Sequence, residues 1–191
     1  MDLQKINVKF FMEKDGNLPL SAFIPVFHRW IQQDKLEGLL IDVAEYTHVH
    51  QGPGVLLIAH EANYSVDETD GKRGLLYNQK QAAEKPGGDH LKLAFRRGLT
   101  ACQLLENEPE IRGKMKFAAH HLQVFVNDRA VAPAGPQSQQ ALEGILKPFL
   151  NSLYGGVACH LIPETDSKKR VGFEVKVEKA FEIPALLERL K

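Results

Sequence analysis

Apolar and polar residues alternate near the start of the chain. Ile6, Val8 and Phe10 interleave with Lys5, Asn7 and Lys9, which predicts a strand over residues 4–12. An Asp-Gly pair and a proline follow within residues 13–19, the chemistry of a chain reversal. The period then lengthens. Phe23, Phe27, Trp30 and Ile31 mark one stripe of a helix that Ser21 can cap and that runs to about Gln33. Pro25 falls in its first turn, where the missing N–H has no intrahelical partner. Residues 39–49 and 55–66 predict two long strands around the Gly52-Pro53-Gly54 reversal. A second reversal at Asp70-Gly71 leads into a third strand over 74–79. Residues 83–88 read as a polar connector. Leu91, Phe95, Cys102 and Leu105 then mark the face of a helix over 89–106.

The second half runs in the same order. Residues 116–126 predict a strand, 127–135 a loop, and Pro136 or Gln137 opens a helix that stops before Gly155-Gly156. Pro148 is expected to bend that helix, because it removes a donor and crowds the carbonyl of Gly144. Residues 157–162 and 170–177 predict a hairpin, and Pro184 opens a last short helix carrying Leu186, Leu187 and Leu190. The two hairpin turns even share letters, Glu68-Thr69-Asp70-Gly71-Lys72 and Glu164-Thr165-Asp166-Ser167-Lys168. The expectation is an α+β fold, one domain over 1–191 built from two similar βαββα-like halves, about 1–108 and 114–191. Its sheet is mainly antiparallel, its helices pack on one face, and the halves are related by internal pseudo-symmetry.

The Gly-Pro-Gly reversal fixes an expected register in which paired positions sum to 105, so Glu45 stands opposite His60 on an apolar face. That face also takes Leu39, Ile41, Val43, Val49, Leu56, Ile58, Ala62, Tyr64 and Val66. The other face of the pair gathers Asp42, Tyr46, His48, His50, Glu61 and Asn63. A slip of one residue exchanges the two faces.

This register frames the candidate chemistry. His48 and His50, alternate residues of a strand about 7 Å apart, have the spacing for a shared divalent metal; Glu61 or Asp42 is the nearest third ligand. Glu45 beside His60 in an apolar setting is the candidate catalytic pair, a general base. Asp42, Tyr46, Glu61 and Asn63 form a polar surface suited to a ligand or a subunit contact. Asn127, Asp128 and Arg129 lie in a loop between strand and helix, where binding side chains often sit. His120 and His121 are adjacent, hence on opposite faces of a strand.

Composition narrows the function classes. Lys plus Arg and Asp plus Glu number 24 each, which argues against a nucleic-acid partner. Two cysteines, Cys102 and Cys159, make neither a disulfide framework nor a CxxC site, and read as reduced thiols of a cytoplasmic protein. No segment approaches the roughly 20 apolar residues of a membrane span, and the first residues alternate instead of forming a signal-peptide core. Nucleophile elbows, zinc helices and phosphate loops are missing from the sequence. The expectation is a protein that binds a small ligand or forms a homo-oligomer, using the polar face of residues 38–66 and no resident cofactor. The alternative is a metal-assisted or histidine–carboxylate hydrolase or lyase.

Overall fold

The alternating segments do become strands, and all of them join one sheet. A computed structural model describes residues 3–81 and 90–191. In chain order the elements are β1 (Ile6–Asp15), α1 (Phe23–Gln32), β2 (Leu40–Tyr46), β3 (Gly54–Ala59), β4 (Ala62–Asp67) and β5 (Gly74–Gln79). They continue with α2 (His90–Asn107), β6 (Met115–Val126), α3 (Pro136–Leu153), β7 (Cys159–Pro163), β8 (Gly172–Val177) and α4 (Ile183–Arg189). The eight strands lie in the order β2-β3-β4-β5-β1-β6-β8-β7, every neighbouring pair antiparallel. The polar connector expected at 83–88 lies outside the described residues.

One face of the sheet carries the core. Val8 and Phe10 of β1, Val55 and Leu57 of β3, Tyr64 and Val66 of β4, and Leu122 and Val124 of β6 are all buried. The period-two pleat puts them on a single side, and the apolar stripes of the helices cover it. α2 lies closest to the centre. Gly98 permits this, since a Cβ there would sit 2.8 Å from Cε2 of Phe10. Phe95 then meets Phe10 edge-on at 5.9 Å and Phe149 of α3 at 4.8 Å, linking sheet and helices. The helix over 136–153 continues through Pro148.

Two sequence expectations need correction. The long strand over 55–66 breaks at His60 and Glu61 into the antiparallel pair β3 and β4. Four strands therefore separate α1 from α2, whereas two separate α3 from α4. The register also moves: Asp42 pairs with Ile58, Val43 with Leu57 and Glu45 with Val55, so positions sum to 100. The cause is the width of the turn. Residues 47–53 make two successive reversals, with Val49 N–H donating to Tyr46 O and Gly52 N–H to Val49 O. Gln51 within it and Gly54 at the start of β3 adopt positive φ. A bulge between Leu40 and Asp42 then turns Ile41 outward. Leu39, Ile41 and Val49 are consequently exposed, and Val55 and Leu57 take the core side instead of Leu56 and Ile58.

Candidate ligand-binding trough

The face opposite the helices is polar, and the ladder registers order its side chains into rows. One row runs Ala44, Leu56, Ser65, Leu76, Lys9, Gln123, Glu174 and Ile162 across all eight strands. The next runs Asp42, Ile58, Asn63, Asn78, Asn7 and Phe125. No helix covers these side chains, yet several are buried: Asn7, Lys9, Ser65 and Asp67 are each 3% exposed or less.

Lys9, Asp67 and Asn7 each have a partner, as burial in a low-dielectric setting demands. Lys9 Nζ lies 2.6 Å from Asp67 Oδ1, an ion pair sheltered on both sides. The Lys9 stem passes Gly74, where a Cβ would be 3.0 Å from Lys9 Cε. Asp67 also accepts the Thr69 N–H at 2.8 Å, fixing the start of the β4–β5 turn. Beside them, Asn7 and Asn127 both donate to Asn78 Oδ1, at 3.0 and 2.9 Å, while Asn7 Oδ1 accepts from Gln79 N–H.

Two turns roof this face. The β4–β5 turn leaves the sheet beside Phe11, and the β7–β8 loop leaves beyond Gly172, level with Asn7. Those levels are four residues, about 13 Å, apart along β1. The turns nevertheless meet, with Lys169 Nζ 2.8 Å from Asp70 Oδ2. Lys72, at the end of the same turn, reaches Glu174 of β8. The turns therefore arch over β1 and β6 from opposite ends.

Beneath the arch lie two hollows that share Thr69, Asp70, Gln123, Glu164 and Lys169, taken together as a trough with two mouths. The larger, about 390 Å³, is lined by Phe11, Lys72, Gln123, Ile162 and Glu174 together with Asp70 and Lys169 of the bridge. The smaller, about 240 Å³, lies on the other side of the bridge, between Phe125, Arg129, Lys168 and Arg170. Glu174 is the charge centre of the first mouth. Its burial opposes ionisation, but Lys72, His121 and Lys176 outweigh that and hold its carboxyl down at about 2. His121 lies 2.8 Å from Glu174 and packs edge-on against Phe11 at 4.7 Å.

The structure brings some of the sequence-derived candidates to this face and leaves others off it. Asp42 and Asn63 share a row, separated by Ile58, and Asn127 joins the amide chain. Asn63 Oδ1 is buried with no partner among the described residues. Arg129 lines the smaller mouth, whereas Asp128 is held low by Lys5 at 3.0 Å and by the N–H groups of Val131 and Ala130. Asp42 itself is exposed and accepts from the N–H of Val43.

The catalytic and metal expectations do not assemble. Glu45 faces Val55 and accepts from Thr47, while His60 sits in the β3–β4 turn with its N–H on Leu39 O. The five-residue shift in register puts five or six residues of β2, roughly 17–20 Å, between them. His48 and His50 lie in the 47–53 turn, so their strand spacing is lost. Among the described residues no three His, Cys, Asp or Glu side chains gather to hold a metal. Tyr46 and His50 line a separate hollow of about 240 Å³ at that turn. Glu61 points to the helix side, 2.8 Å from Arg97 of α2. Burial pushes the thiols of Cys102 and Cys159 up, so neither is a ready nucleophile.

Sequence reasoning missed Lys9, Asp67, Lys72, Gln123, Lys169 and Glu174. One signal was available: the two turns with shared letters, over 68–72 and 164–168, flank the bridge that joins them. No family model, curated protein or solved structure matches the chain.

Proposed function

We propose that this protein binds a small charged molecule in the trough on the helix-free face of its sheet. One observation carries the reading. Two turns from opposite ends of the sheet meet through Asp70 and Lys169 over a cavity of about 390 Å³. The volume is that of a small-molecule pocket, and its polar groups converge on a rigid floor of strands. The buried ion pair and the oriented amide chain beneath hold that floor in one arrangement. The proposal keeps the sequence reading of a binding protein and moves its centre from residues 38–66 to β1, β6 and β8. The test is a ligand-observed NMR screen of small carboxylates, phosphates and amines. Compounds that bind the native protein are expected to lose binding to Gln123→Trp, whose indole fills the trough. Hits that bind that variant equally well overturn the reading.

Self-association has its own supporting observation. β2 is an edge strand; Leu39 just before it is 67% exposed and Ile41 within it 53%. A second copy pairing along β2 would cover them. Sizing chromatography across micromolar concentrations decides this, and a monomer throughout removes it. The same proposal includes one domain whose halves, of five strands and three, meet at the β1–β6 pair. It also includes a cytoplasmic setting, in keeping with two unpaired cysteines.

A further inference from the structure

The two mouths of the trough differ in how their charge is balanced. At the larger mouth every cation has a carboxylate: Lys72 has Glu174, and Lys169 has Asp70 and Glu164. The smaller mouth shares Asp70, Glu164 and Lys169 with the larger and adds three cations that have no carboxylate. Arg129 donates to the carbonyl of Lys168, and Arg170 lies over the Phe125 ring at 5.8 Å. Lys168 Nζ forms no ion pair among the described residues. Four cations and two carboxylates thus line the cavity, an excess of positive charge beside the Phe125 ring and the Gln123 amide.

Resting on the reading of the trough as a binding site, we infer that its smaller mouth takes an oxyanion carried on a flat ring. A guanidinium matches a phosphate or carboxylate with two parallel donors, and Arg129 and Arg170 supply two guanidiniums. A cation–π contact with Phe125 places the Arg170 guanidinium at this mouth. With the Phe125 ring on one side of it, the Arg170 guanidinium has its other face for an aromatic ligand to lie against. The bridging Lys169 closes the side toward the larger mouth. A cavity of about 240 Å³ suits a ring with one or two substituents more than a polymer.

The test titrates phenyl phosphate, benzoate, inorganic phosphate and benzylamine into ¹⁵N-labelled full-length protein and follows backbone amide shifts. Phenyl phosphate and benzoate are expected to shift Gln123, Phe125 and the amides of 168–170, with inorganic phosphate weaker. Arg129→Gln with Arg170→Gln is expected to weaken phenyl phosphate by about ten-fold or more, the scale of lost charge-assisted hydrogen bonds. An unchanged amide spectrum away from the loop shows that this double variant is folded. Equal binding by the variant overturns the inference, as does inorganic phosphate binding as tightly as phenyl phosphate. Benzylamine shifting the trough amides while the anions do not overturns it too, yet leaves the trough reading standing. Silence from all four probes, with an oligonucleotide shifting the same loop, marks a polyanion surface and defeats both.

Discussion

The two faces of this sheet bury side chains by different means. On one, Val8, Phe10, Tyr64 and Leu122 disappear under helices, and burial follows from apolar area leaving water. On the other, Lys9, Asp67 and Asn7 are equally hidden, each bonded to a polar partner. The first arrangement tolerates exchange of one apolar shape for another. The second holds only while each charge and amide keeps its partner, which is how a polar floor becomes rigid. Apolar packing and polar pairing are thereby divided between the two sides of one set of strands.

Breaking the polar side should have the largest effect. Lys9→Met leaves the Asp67 charge buried and alone, and is expected to cost about 3–5 kcal/mol in urea denaturation. Adding Asp67→Leu should restore most of that loss. Leu57→Ala on the helix side is expected to cost about 2–5 kcal/mol, with no second-site substitution of that kind to rescue it. If Lys9→Met costs under about 1 kcal/mol, the contrast between the faces fails.

A smaller effect probes the helix side alone. Gly98→Ala places a methyl 2.8 Å from Phe10 and is expected to cost about 1–3 kcal/mol while leaving amides over 162–174 unshifted. Acid titration sharpens the polar side. Glu174 ionises at about 2 when folded against an ordinary value of 4.5, so its contribution is complete above 4.5 and fades as pH falls toward 2. Glu174→Gln should flatten the fall of stability in that window, and an unchanged acid limb would contradict the assignment. The smallest change is expected from Lys169→Gln. This exposed bridge should contribute at most about 1 kcal/mol, and less at high salt.

The sequence carried the helix side well and the polar side poorly, for reasons that can be named. Strict alternation in β1 and β8 and the stripes of α1 and α2 report directly which groups face a core. The break at His60 and Glu61 has no glycine, proline or asparagine to announce it, so β3 and β4 read as one strand. The Gly-Pro-Gly signal was real, but its turn takes seven residues, and that width slid the register and dissolved the Glu45–His60 pair. Lys9 is, in the sequence, one polar position of an alternating strand. Its partner, Asp67, lies 58 positions away, and no local pattern links them. The arch depends on strand order and sheet curvature, which emerge only once all eight strands are paired.

The most direct test of the trough is amide shift mapping of the ¹⁵N-labelled protein against the same panel of small carboxylates, phosphates and amines. The account predicts perturbed amides on β1, β6 and β8 and in the turns over 69–72 and 164–170. Perturbations confined to the Tyr46–Gly54 hollow, or to Glu61 and Arg97 on the helix side, would contradict it.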